Sequence, residues 1–274
     1  MNTIVDILVE GLDFPEGPAF NIDGSLWCVE LEGGNLVNLS QGNAVGDLKR
    51  YPTGGSPNGL LFDDAGFGWF CDAKNNEIRK FIPQKNSFET MVKSIDGKTL
   101  NKPNDLIFDK TGNLIFTCPG NSRTDPTGFV CCSTPEGVVK KIAEQLYFPN
   151  GLVLTDDGKT LIIAETFRQK LWKGSWDADL LEWTEAVSWI DVGGSIGPDG
   201  MALDTEGLLY VAVYGSGQIK VVDESGRITQ AYNLPGMNPT NAAFDPSGRL
   251  GLIVTEAEKG LLISLPEIKY SKNM

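Results

Sequence analysis

The chain has 274 residues, 41% of them hydrophobic, a formal net charge of −13 and no histidine. The charge argues against nucleic acid or an anionic membrane as a partner and suits a bound cation. Without histidine there is no Ser–His–Asp triad, no Cys–His pair, no imidazole base and no histidine-ligated metal, so any catalysis runs on carboxylates, amides, hydroxyls, lysine or an oxygen-held metal.

The opening residues MNTIVDILVEGL have neither the basic start nor the long apolar core of a signal peptide. No apolar run approaches the roughly 18 residues of a membrane span, and a cytoplasmic location is the default expectation. Residues 3–9 alternate as a strand does. One phrase then returns six times: FPEG at 14–17, SPNG at 56–59, KPND at 102–105, FPNG at 148–151, GPDG at 197–200 and NPTN at 238–241. The marker prolines Pro15, Pro57, Pro103, Pro149, Pro198 and Pro239 lie 42, 46, 46, 49 and 41 residues apart, near the period of four-stranded propeller repeats.

Every unit continues alike. Nine residues after the proline stands Gly24, Gly66, Gly112, Gly158, Gly207 or Gly248, closing NIDG, DDAG, DKTG, TDDG, DTEG and DPSG. The runs SLWCVE, GWFCDA, NLIFTC, TLIIAE, LLYVAV and RLGLIV follow at once. This reads as strand, tight turn, strand, with an Asp, Asn or Thr capping the turn and glycine taking the positive φ. No stretch holds a 3.6-residue period across four turns, so helix is nearly absent. The five cysteines (Cys28, Cys71, Cys118, Cys131 and Cys132) are odd in number, lack a CxxC spacing and read as small apolar strand residues. The last unit, from 238 to about 268, is a strand short, and residues 3–9 are expected to supply it. The prediction is an all-β, six-bladed β-propeller, a single domain over 1–274 whose ring is closed by the N-terminal strand.

Proline has no amide hydrogen and is tolerated at the first residue of a strand, so the marker is expected to open the innermost strand of each blade. The residues after it, Glu16, Asn58, Asn104, Asn150, Asp199 and Thr240, would then ring one mouth of the central channel. Such oxygens suit one hard divalent cation, Ca2+ first, with Mg2+, Mn2+ or Zn2+ as alternatives. Glu16 and Asp199 match its charge. The other reading is a polar plug that satisfies the inner backbone. Two like charges on one axis favour the cation.

The phrases FPEGPAF…GSLWCVE, KPNDLIFDKTGNLIFT, FPNGLVLTDDGKTLIIAET and GPDGMALDTEGLLYVAVYGSGQI resemble the senescence marker protein / gluconolactonase / luciferin-regenerating enzyme family, over about residues 12–265. The resemblance implies a six-bladed propeller, a divalent cation held by a glutamate, an asparagine and an aspartate on the axis, and hydrolysis of sugar lactones or related cyclic esters. By motif the metal ligands are Glu16, Asn150 and Asp199, and the phrase that faces substrate gives Asn104 and Asp105. Family members often have arginine where Lys102 stands, and an acidic residue where Cys118 stands. Lysine lacks the planar fork of arginine, so the departures bear on the substrate more than on the chemistry.

On the residues alone, a cation there would polarise an ester carbonyl and acidify water. Asp199 is the candidate general base, the alternative being that it serves only as a ligand. Asn58 and Asn104 are placed to orient substrate hydroxyls, and Lys102 is either a substrate contact or a solvated loop lysine. Glu30, Asp72 and Glu165, at the ends of second strands, are expected as solvated turn residues rather than a pocket rim. Tyr214, Trp27 and Trp69 are either pocket wall or packing between blades. The expected partner is a small lactone, with neither nucleic acid nor membrane. Two rivals stand beside this reading: a non-enzymatic propeller that binds a ligand or protein on its face, and a strictosidine-synthase-like or paraoxonase-like enzyme. The units carry no GH…WD signature, and the absent histidine counts against forms with a histidine base.

Overall fold

The structure is a computed structural model that describes residues 4–39 and 48–270. Six four-stranded antiparallel sheets stand in a ring as a six-bladed β-propeller. The first blade runs outward through Pro15–Phe20, Leu26–Glu30, Asn35–Leu39 and Leu48–Pro52. The next four begin at inner strands Pro57–Phe62, Leu106–Phe108, Pro149–Leu154 and Gly197–Leu203. In the sixth, Pro239–Phe244, Leu252–Glu256 and Leu261–Leu265 are joined at the outside by Asp6–Val9, with Asp6 opposite Ser264 and Ile7 opposite Ile263. The N-terminal strand therefore closes the ring as read, although Thr3, where the expected strand begins, lies outside the described residues.

The second strands are buried on both faces, and they read as nearly unbroken apolar runs for that reason. Cys28, Val29, Phe70, Cys71, Ile115 and Phe116 are all fully covered. The apolar clusters lie between blades rather than within them. Trp27 and Tyr51 of the first blade pack with Phe70 and Phe81 of the second, Trp27 and Tyr51 stacking at 5.4 Å. Val9, Cys28 and Val37 meet Ile253 and Leu262 across the closure. All five cysteines are buried and unbridged. Among the described residues, helix is limited to the single 3-10 turns Pro83–Lys85 and Thr166–Arg168, and no helix is long and apolar enough to cross a membrane.

The sixfold turn forms at every unit. At the second, the Gly66 N–H donates to Asp63 O at 2.8 Å while Asp63 Oδ1 accepts from the Ala65 and Phe67 N–H groups. Gly66 sits at φ +77, a region that costs any other residue. The marker opens the inner strand in four blades. Pro198 is second in its strand, and Pro103 lies ahead of a strand that starts only at Leu106. In that third blade the Asp105 N–H donates to the Thr117 hydroxyl at 3.1 Å rather than to a carbonyl, so regular pairing is delayed to Leu106 opposite Phe116.

Candidate functional site

Just past the marker, the inner strand slips register against its neighbour in five blades, between Glu16 and Ala19, Pro57 and Leu60, Pro149 and Leu152, Pro198 and Met201, and Pro239 and Asn241. Such bulges re-aim side chains. Here they bring Glu16, Asn150 and Asp199, all at least nine-tenths buried, toward the channel axis. Asn58 and Asn104 are buried too, and neither side-chain amide hydrogen-bonds another described residue.

The next position along each inner strand is glycine in four blades (Gly17, Gly59, Gly151 and Gly200) but Asp105 and Asn241 in the third and sixth. The glycines leave the room those two side chains fill. A Cβ at Gly59 would lie 2.3 Å from Asp105 Oδ1, and one at Gly200 2.0 Å from the Asn241 amide carbon. Asp105 and Asn241 share one local geometry, each donating its N–H to a threonine hydroxyl (Thr117 or Thr255) at 3.1 Å. Each also accepts from the following N–H, at 2.9 and 2.8 Å. The Asn241 amide faces both Glu16 and Asp105.

This corrects the expected ring. Thr240 is not on the axis: its hydroxyl donates to Pro15 O at 2.8 Å and pairs with Thr255 Oγ1 at 2.7 Å, tying the sixth blade to the first. The sixth blade's slip is shorter than the others, so Asn241 takes the axial place. A matching tie joins the fourth and fifth blades, where Asn150 Nδ2 donates to the Thr166 hydroxyl at 3.2 Å, which donates to Pro198 O at 2.7 Å.

Three carboxylates thus share the axis. Burial, then the charges of Asp199 and Asp105, push the Glu16 carboxyl well above the usual range. Burial and Asp105 do the same to Asp199, against the pull of the Asn150 amide and the Gly200 N–H. Asp105 is raised to about 7, chiefly by burial. No lysine or arginine is among the groups that act most on these three. Below Asp105 and Asn241 the channel widens into a cavity of about 320 Å3, walled by Leu60, Leu106, Leu152 and Met201.

A second set of carboxylates is held by donors. Glu30, Asp72 and Glu165 are not solvated turn residues but are at most 2% exposed, and Glu256, which the sequence reading passed over, joins them. Each accepts the N–H of a residue just ahead of its own blade's marker: Asp13 to Glu30 at 3.3 Å, Ser56 to Asp72 at 3.1 Å, Tyr147 to Glu165 at 2.6 Å and Asn238 to Glu256 at 2.9 Å. Arg50 grips Glu30 with two bonds of 2.9 Å, and Arg79 holds Asp72 at 2.9 Å. Burial opposes ionisation of Asp72, yet its donors from Asn75, Ser56 and Arg79 outweigh it and lower the carboxyl below its ordinary value. Arg50 and Asn35 overcome burial at Glu30 in the same sense. These carboxylates staple the loop that leads into each inner strand and so position the axial residues. Cys118 and Val213 hold the corresponding places in the third and fifth blades.

Lys102 is exposed at φ +48, its ammonium donating to Asn121 Oδ1 at 2.8 Å. Trp27 and Trp69 are packing residues, their ring N–H groups donating to Ser25 Oγ and Asp63 Oδ2 at 2.8 Å. Tyr214 is half-buried and stands in the field of Asp199, Glu16, Glu256 and Glu32, which puts it at the axial mouth.

The axial donors are all oxygen, which is the chemistry of a hard divalent cation. Among the described residues, no three of His, Cys, Asp and Glu gather tightly enough to hold a metal by themselves. Amide oxygens must therefore complete the set, and Asn150, with Nδ2 engaged by Thr166, has Oδ1 to offer. The residues present fit such an ion.

The profile of the SMP-30/gluconolactonase/LRE-like region matches residues 14–258. A diisopropyl-fluorophosphatase of Loligo vulgaris is 28% identical over 92% of this chain and 88% of its own. A gluconolactonase of Zymomonas mobilis is 24% identical over 91% of this chain and 78% of its own. Among solved structures, a calcium-binding regucalcin of Agrobacterium tumefaciens superposes with a TM-score of 0.85 at 22% identity, covering 97% of this chain and 94% of that one.

Proposed function

The chain belongs to the SMP-30/gluconolactonase/LRE-like family, and from that premise we propose that it is a divalent-metal-dependent lactonase that opens a sugar lactone or related cyclic ester. Relatives named gluconolactonase and lactonase support lactone hydrolysis at the level of the family. The observation that carries the proposal is the axial trio: Glu16, Asp105 and Asp199 are buried together, each driven toward its neutral form, with no lysine or arginine among the groups that act most on them. A divalent cation supplies the missing charge, and Glu16, Asn150 and Asp199 would hold it, Ca2+ being the first choice. When bound, such an ion polarises an ester carbonyl and makes water more acidic.

The chain's own residues do the rest. Asp199 takes a proton from the attacking water where one of its oxygens stays free of the ion, and is otherwise a ligand. Asn58 and Asn104 offer unengaged amides to substrate hydroxyls. Asp105, with Asn104, faces the substrate from the same phrase, and Lys102 is offered for a substrate oxygen. The seat of this activity is taken to be cytoplasmic, within a single domain.

The test is hydrolysis of a panel of aldonolactones by chelated protein, before and after Ca2+, Mg2+, Mn2+ or Zn2+ is restored. A fluorophosphate ester belongs in the panel because of the relative named for that substrate. Ion-dependent opening of an aldonolactone is the expected result. Full activity in chelator would sink the metal-dependent reading, and ion-dependent attack on the fluorophosphate alone would move the substrate class.

A further inference from the structure

In four blades a stapling carboxylate faces the marker proline across the ladder, whereas in the fifth Val213 stands there and the strand runs on to Tyr214. Tyr214 is half-exposed, opposite Gly197 on the strand that carries Asp199, and its phenol makes no hydrogen bond to another described residue. Its nearest charges are carboxylates: Asp199 and Glu16 on the axis, Glu256 and Glu32 beside it. Burial, then those charges, raises the phenol above its ordinary value, so it remains a donor at neutral pH. A partly buried tyrosine hydroxyl normally finds a partner, and here the partner is absent while the site for a substrate lies alongside.

Resting on the lactonase reading above, we propose that the Tyr214 hydroxyl is a substrate-binding donor that hydrogen-bonds a hydroxyl or ring oxygen of the lactone seated over Glu16 and Asp199, and so selects polyhydroxylated lactones over unsubstituted ones. A site that offers a hydrogen bond discriminates against an analogue that cannot take it. One neutral hydrogen bond of this kind is worth roughly a factor of ten. Because the aromatic ring still packs, Tyr214→Phe removes the donor alone.

The experiment measures kcat/KM of Ca2+-loaded wild type and Tyr214→Phe on an aldonolactone and on unsubstituted δ-valerolactone, with the Ca2+-induced rise in Tm as the control for folding. The expected result is a fall of about ten-fold in the aldonolactone-to-valerolactone ratio, carried mainly by KM. An unchanged ratio overturns the proposal, whether both rates hold or both fall together. Wild type inactive on both lactones overturns the lactonase reading and this proposal with it, an outcome distinct from an active enzyme whose ratio ignores the substitution.

Discussion

The stapling carboxylates Asp72 and Glu30 and the axial Glu16 and Asp199 are all buried, yet the protein treats them oppositely. Asp72 and Glu30 each collect several donors, an arginine among them, and are held ionised below their ordinary range. Burial, then the neighbouring acids, pushes Glu16 and Asp199 above it, because few donors oppose them. Burial raises a carboxyl in both sets, and at Asp72 and Glu30 the supply of donors overcomes it. The stapling set stabilises the frame, and the axial set stores repulsion that a cation would relieve, a trade often made at functional sites.

The largest expected effect is on rate. Asp199→Asn keeps an oxygen and removes the base, and if Asp199 is the base the variant binds ion while losing about two to four orders of magnitude in kcat. If it is chiefly a ligand, ion affinity falls instead and added Ca2+ restores much of the rate. Steady-state kinetics against ion concentration separates the two.

Next comes the frame. Asp72→Ala strips the partner from Arg79 and the acceptor from the Ser56 and Asn75 N–H groups, at a cost of about 3 kcal/mol in unfolding free energy. Urea denaturation measures it. A loss near zero would mean the staple contributes nothing.

Glu16→Gln sharpens the contrast because two signs should appear in one variant. Removing an axial charge is expected to lower ion affinity at least about ten-fold, read by titration calorimetry. In chelator the same change should raise Tm, whereas Glu256→Gln in the staple should lower it. If Glu16→Gln destabilises the ion-free protein, the axial repulsion is not real.

The smallest effect is in pH. Asp105 titrates at about 7 in the folded chain, above its ordinary value of 3.8, so the folded state binds more protons between the two. Its contribution is fully present at low pH and is lost as pH rises toward 7. Glu30 and Asp72, being lowered, contribute stability at higher pH and lose it as pH falls below the ordinary carboxylate range. Chelated protein should therefore have a Tm that declines on both flanks, and saturating Ca2+ should flatten the neutral flank only.

What was legible in the sequence was local. The turn that ends in Gly66 needs only an i to i+3 bond and a positive φ, so six copies announce six blades. The convergence of Glu16, Asn150 and Asp199 follows from strand register once the blades are counted. Asn241 was missed because a one-residue difference in a bulge swaps it for Thr240, a distinction set by the Thr240–Pro15 tie between sequence ends. Even so, Asp105 and Asn241 were marked as the two non-glycines in an otherwise glycine position. Glu30 and Asp72 were misread because a charge at a strand end looks solvated until the loop before the marker, and an arginine one or two strands out, are folded onto it.

The closure of the sixth blade has a consequence for how the molecule is made. The stretch Asp6–Val9 leaves the ribosome before every other strand of the propeller, and its partner Leu261–Leu265 after them. Five blades can assemble from neighbouring sequence while that early strand waits, and the final pairing spans almost the whole chain, the slowest kind of contact to form. Until it docks, the largely apolar strand Leu261–Leu265 presents an open edge on which a second nascent chain could pair. Removing residues 1–9 should thus show itself first as aggregation during expression, before any loss at the axis, and a fusion partner on the N-terminal side would sit at the seam where the ring is fastened.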